Sequence, residues 1–334
     1  MLRLVVRRLL QLIPTLFGLS VLLFLWIHRL PGGPASALLG ERATEESRRQ
    51  IESQLGLDQP VWVQYGRWIR RLAELDLGNS TQTGQPVWDE FTLRFPATIE
   101  LGLTALLFAV VVGIPLGYFA ARRRGTWLDV TAVSGSLIGI CVPVFFLAVI
   151  LRSIFAVNLG WLPSGGRLTT GINATEVTGF RVLDGLLTGE FDASWDAIQH
   201  LILPGVALAS IPLAVIVRIT RASVLEVLSE DYVRTAESKG LRKRVIRARH
   251  VLRNALLPVV TTIGLLTGSL LSGAVLTESA FSFGGIGSFI RTAISGRDHP
   301  TLMGFILFIA LVYVLINLLV DLTYSLIDPR VRVN

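Results

Sequence analysis

Residues Ser229–Pro258 read SEDYVRTAESKGLRKRVIRARHVLRNALLP and lie between two strongly apolar runs, Leu201–Val217 and Leu256–Leu276. The segment carries Arg234, Lys239, Arg242, Lys243, Arg244, Arg247, Arg249 and Arg253 against only Glu230, Asp231 and Glu237, so it cannot reside in lipid. It is too long for a turn. Its pattern predicts two short helices, Asp231–Lys239 and Arg242–Asn254, parted at Gly240, a residue that accepts the left-handed conformation ending a helix. The second is expected to stop before Pro258, which restricts the residue preceding it. A basic loop against an anionic membrane face is the plain alternative for such a composition.

Working outward, the 334-residue chain is 51% hydrophobic and only 16% charged, with mean hydropathy +0.60. A soluble domain would carry closer to a quarter charged residues, so the composition indicates an all-α polytopic membrane protein. Apolar runs at Leu9–Ile27, Thr98–Ala121, Thr131–Val157, Leu201–Val217, Leu256–Leu276 and Leu302–Leu322 predict six transmembrane helices. The first is read as retained rather than cleaved, because it exceeds a signal core and lacks a small-x-small cleavage site. Pro115 and Pro143 are expected to kink their helices without ending them, since neighbours can satisfy the freed carbonyls. Gly113 with Gly117, and Gly135 with Gly139, are spaced for close helix approach in lipid.

Basic residues orient these spans. Of 31 Arg and Lys, three fall at the start, three in 122–124, ten in 218–254 and two at the end. By the positive-inside rule, both termini and the Gly240 loop are cytoplasmic. The corresponding layout is a cytoplasmic N-terminus and first span (1–29), an extracytoplasmic helical segment (30–97), a core (98–327) with a cytoplasmic loop at 218–255, and a cytoplasmic tail (328–334). In the extracytoplasmic segment, Glu41–Glu52 reads as a helix, and Trp62, Tyr65 and Trp68 recur every three residues. Those aromatics could grip a ligand, but anchoring a small helical lobe is the more economical role. The stretch Asn158–His200 reads as an acid-rich external loop. The glycines of 284–287 suggest a re-entrant turn or short helix.

Several chemistries lack their residues. Lys239 precedes Gly240 and Lys243 precedes Arg244, so there is no Gly-Lys-Ser/Thr phosphate loop and no ATP site. No Gly-x-Ser-x-Gly or His-Glu-x-x-His occurs, and His28, His200, His250 and His299 sit at separate span ends, which argues against a hydrolase or a metal site. The lone Cys141 reads as a small residue of an apolar span. Glu100, Arg152, Glu278 and Asp321 lie toward span ends rather than at mid-depth, which disfavours a stand-alone proton-coupled carrier, the leading alternative function.

Asp231-Tyr232, Ala236, Gly240, His250, Arg253-Asn254-Ala255 and Leu257-Pro258 resemble the cytoplasmic coupling loop of binding-protein-dependent ABC importer permeases of the oligopeptide, dipeptide and nickel branch. Leu55–Pro60, Gln64-Tyr65, Asp76–Ser80, Glu278–Gly287 and Asp328-Pro329-Arg330 are similar to other patches of that family, with Gly284 where proline is usual. The resemblance implies a bacterial cytoplasmic-membrane permease subunit for peptides. It also implies a homologous second permease, ATP-binding cassette ATPase subunits, an extracytoplasmic substrate-binding protein and no cofactor. It assigns ATPase coupling to Asp231, Tyr232, Arg234, Thr235, Ala236, Lys239 and Gly240. Thr261, Thr262, Thr267, Ser269 and Ser272, the small polar residues of the fifth span, are candidate pore lining. Back-bonding to their own helix is the competing role.

Overall fold

The computed structural model describes residues 2–29, 46, 53, 56, 58–172 and 174–327. Most of the expected Glu41–Glu52 helix, and the terminal Asp328-Pro329-Arg330, lie outside the described residues. The helices, in chain order, are α1 (Leu2–Arg29), α2 (Val61–Ala73), α3 (Val87–Arg122), α4 (Trp127–Cys141) and α5 (Val144–Leu151), the last extended by a π-helical stretch Arg152–Asn158. There follow α6 (Arg181–Thr188), α7 (Phe191–Leu228), α8 (Asp231–Ser238), α9 (Lys243–Val245), a π-helical stretch Ile246–Leu252, α10 (Arg253–Phe281), α11 (Ile286–Ser295) and α12 (His299–Ile327). No strand occurs among the described residues, and the fold is the all-α polytopic one.

Among the described residues, five helices are long and apolar enough to cross a bilayer: α1, α3, α7, the helix from Lys243 to Leu270, and α12. The pair Trp127–Cys141 and Val144–Asn158 passes the same test together but is bent by 106°; counted as one broken span it brings the number to six. Here the expectation of a mere kink at Pro143 is corrected. Val142, immediately before the proline, adopts ψ 123, the extended conformation that proline imposes on its predecessor, and the helix ends there. The opposite correction applies at Pro258. Helix α10 runs through it, so the loop's second helix does not stop but enters the fifth span. One lost N–H costs less than opening the backbone where lipid offers no replacement partner.

The chain forms two compact units, one of residues 97–284 with the 316–334 end, the other of residues 2–96 and 285–315. In the first, Ala97, Leu101, Ala105 and Ala109 form an i, i+4 stripe on α3 that packs with Leu201, Leu208, Ala209 and Ile216 of α7 and with Val259, Leu270 and Ala274 of α10. Small residues set the spacing. A Cβ on Gly117 would lie 2.5 Å from the Val217 carbonyl oxygen, and one on Gly113 2.9 Å from Ile216, so this glycine pair is the contact of α3 with α7. In the second pair only Gly139 meets a neighbour, Ser210, while Gly135 faces open space.

Polar residues close the ends of these helices. Asp129 of α4 receives Nε and Nη2 of Arg221 on α7 at 2.5 and 2.9 Å, together with the Gly125 N–H at 3.0 Å. At the other end of α3, Glu100 receives Arg167 at 2.8 Å and the Val182 N–H at 2.9 Å, and the Thr98 hydroxyl donates to the buried Glu278 at 2.6 Å. Arg152 donates to the Ala280 carbonyl. The ionisable groups noted in the sequence at these span ends thus hold helices together; the Asp321 side chain lies outside the described residues.

In the second unit, Tyr65 and Trp68 of α2 pack on Phe24 of α1 with ring centroids 5.3 and 5.7 Å away, and the Tyr65 hydroxyl meets the Ser20 hydroxyl at 2.8 Å. Trp62, 75% exposed, takes no part in that cluster. Elsewhere in this unit Arg94 pairs with Glu90 and covers the Phe289 ring at 3.9 Å, while the buried Asp298 accepts from Ser80 and Thr301.

Candidate functional site: the helix between the fourth and fifth spans

Helix α8 begins immediately after α7, from Glu230 in an extended conformation, and spans two turns. It ends as the sequence predicts: Gly240 has φ +72, its N–H donates to the Glu237 carbonyl at 2.9 Å, and the Leu241 N–H reaches the Ala236 carbonyl at 3.3 Å. A Cβ at Gly240 would meet nothing within 4 Å, so the glycine is required by backbone conformation and not by space.

The two faces of α8 differ sharply. Val233 and Ala236, three residues apart, are buried at 2% and 5% exposure in a cluster with Ala121 of α3, Val224 of α7, Ile246 and Val251 of the π-helical stretch and Ala255 of α10. Outward, Asp231, Arg234, Thr235, Lys239 and Gly240 are exposed, and Arg234 stands 3.9 Å from Asp231 in a pair open to solvent. A bond chain adds a clasp: Asn254 donates to the Tyr232 hydroxyl at 2.9 Å and to the His250 carbonyl at 3.0 Å, and Tyr232 donates to that same carbonyl at 3.3 Å. Of the seven residues expected to couple, six are therefore exposed, Tyr232 among them. Ala236 lies in the seat beneath them, and Tyr232 ties the helix to the start of α10. The seat residues Val233, Ile246, Val251 and Ala255 were not singled out from the sequence, although Val233 with Ala236 at i, i+3 and Val251 with Ala255 at i, i+4 carry a spacing that marks one helix face.

The candidate pore residues are not brought together in this way. Thr261, Thr262, Thr267 and Ser269 donate to the Leu257, Pro258, Ile263 and Leu266 carbonyls of their own helix. Thr267 also lines a cavity of about 420 Å³ between α3, α10 and α12, whose wall is otherwise apolar apart from Thr98. The Ser272 side chain lies outside the described residues. Histidines are held locally, His200 on the Asp196 carbonyl and His28 between the Phe24 carbonyl and Gln64. Among the described residues no group of three or more His, Cys, Asp or Glu could hold a metal ion.

Residues 113–333 match the family described as binding-protein-dependent transport system inner membrane component, and residues 1–102 match the N-terminal part of such components. The chain belongs to this family. Full-length relatives agree. The dipeptide transport system permease protein DppB of Alkalihalophilus pseudofirmus is 46% identical over 332 residues, covering 99% of this chain and 100% of the relative. Its namesake in Escherichia coli K12 is 45% identical over 336 residues, with 99% of each covered. The di/tripeptide transport system permease protein DppB of Pseudomonas aeruginosa is 46% identical over 333 residues, again with 99% of each covered. This inner membrane component is therefore the multi-pass permease subunit of a binding-protein-dependent importer, and the stand-alone carrier is not favoured.

Proposed function

We propose that the subunit carries peptides, forming half of a translocation pore with a homologous second permease and coupling through α8 to separate ATP-binding cassette ATPase subunits. An extracytoplasmic binding protein delivers the substrate, and both termini and α8 face the cytoplasm. Support for the cargo comes from the relatives, three of which are named for dipeptides or di- and tripeptides. Support for the orientation comes from the ten basic residues of 218–254.

The observation that carries the coupling role is the seat of α8. A two-turn helix whose inner face packs on α3, α7 and the approach to α10 at once cannot move alone, so a push on its outer face is transmitted to three spans. Because the π-helical stretch continues without interruption into α10, the displacement reaches the fifth span directly. ATP hydrolysis belongs to the partner, as this sequence has no phosphate loop.

Two substitutions test the reading. Arg234→Glu with Lys239→Glu reverses charge on the exposed face without touching the seat, and the variant should co-purify with much less ATPase while inserting into the membrane normally. Undiminished co-purification would show that the motor grips elsewhere. Gly240→Val forces a β-branched residue to φ +72, a cost of about 1–2 kcal/mol or more with no steric clash to add. The turn should relax by shifting the end of α8, giving ATP hydrolysis without matching uptake in proteoliposomes. Wild-type coupling in that variant would refute the role of the turn.

A further inference from the structure

We propose that α6 and the first turns of α7 form an anchor in the bilayer leaflet opposite α8, with one continuous apolar face set into the lipid interface. On α6 the exposed apolar residues are Leu183, Leu186 and Leu187, and on α7 they are Phe191, Trp195 and Ile198, at exposures from 38% to 67%. Their spacings, i, i+3, i+4 and then i, i+4, i+7, place each set on one side of its helix. None of the six carries a charge. Left in water, each would keep apolar surface exposed that lipid would cover.

Depth selects the occupant. Leu101–Ala121 of α3 contains no Asp, Glu, Lys, Arg or His; at about 1.5 Å per residue its 21 residues span about 31 Å, the thickness of a hydrocarbon core. Arg122-Arg123-Arg124 marks one edge, beside the α8 seat that includes Ala121, and Glu100 marks the other. The Val182 N–H in the first turn of α6 donates to Glu100, and the Ser194 hydroxyl of α7 donates to the Val182 carbonyl at 2.9 Å. Gly205, a little further along α7, already lies against Thr104 inside the apolar zone. The exposed leucines and aromatics therefore begin at the hydrocarbon edge, where tryptophan and amphipathic helices partition.

The orientation of α6 is fixed from within. Asp184 is fully buried and accepts the Thr178 N–H and hydroxyl at 2.7 and 2.6 Å and the Gly179 N–H at 3.0 Å. Burial alone would raise its pKa, but these donors outweigh it and hold the carboxyl below its ordinary value, so it remains an acceptor. Gly185 has no room for a side chain, since a Cβ would lie 2.5 Å from the Ser194 hydroxyl and 2.8 Å from the Glu190 carbonyl. With Asp184 and Gly185 turned inward, the leucine face can only turn outward.

A nitroxide at Leu187→Cys, in the full-length chain assembled with its co-purifying importer subunits in lipid nanodiscs and otherwise free of cysteine (Cys141→Ser), reads the environment of this face. Leu107→Cys, on an exposed apolar position at mid-depth of α3, is the lipid reference, and Val177→Cys, on an exposed loop position, is the water reference. Collision with oxygen should exceed collision with a neutral nickel chelate severalfold at Leu187→Cys, as at Leu107→Cys. Chelate collision as frequent as at Val177→Cys would overturn the anchor in favour of an aqueous face. Suppressed collision with both probes would overturn it in favour of burial against a protein subunit.

Discussion

Val233→Asp is expected to abolish uptake while leaving the chain inserted in the membrane. Val233 is 2% exposed within the apolar cluster that seats α8. An unpaired carboxylate placed there costs several kcal/mol. The least costly escape is for the two-turn helix to leave its seat, because α8 is short and is held at its ends by only the Gly240 turn and the Tyr232–Asn254 clasp. The spans themselves would be little affected. The assembled importer should then hydrolyse ATP at a rate indifferent to substrate-loaded binding protein and accumulate no substrate in proteoliposomes. Val233→Ala, which removes two methyl groups at about 0.8 kcal/mol each plus a small cavity term, should retain part of the transport. Normal uptake by the aspartate variant would separate the seat from the transmission of force.

The second large effect is expected at the ion pair between α4 and α7. Arg221→Met leaves the Asp129 carboxylate, whose side chain is only 7% exposed, with the Gly125 N–H as its remaining partner. Breaking a buried pair from one side costs about 3–5 kcal/mol; with the Arg221 side chain 27% exposed, the lower end of that range applies. The purified variant should show a clearly lower unfolding temperature in detergent. Asp129→Leu combined with Arg221→Met removes both charges and should recover most of the loss, since an apolar pair carries no uncompensated charge. A double variant as unstable as the single one would mean that the pair contributes geometry rather than charge balance.

Much of this molecule was legible from residue order because the bilayer imposes strong one-dimensional rules. Apolar runs long enough to cross lipid marked the spans, and Gly240 marked the end of α8, since a left-handed residue there needs glycine whatever surrounds it. The glycine pair 113 and 117 announced a close helix contact in the same way, though not its partner. The surface of α8 was partly readable too: six of the seven residues singled out are exposed, all but Ala236.

Local order by itself determined, then, that the chain is a helical membrane protein with a basic handle between its fourth and fifth spans. Only the tertiary structure decided that the third span breaks at Val142–Pro143, that α10 passes through Pro258, that Ala236 lies under the handle, and that Asp129 meets Arg221 across 92 positions. The reason is physical. Hydropathy and backbone conformation are properties of neighbours in sequence, whereas a proline's cost, the buried side of a short helix and the partner of a charge depend on which distant groups stand ready to satisfy them.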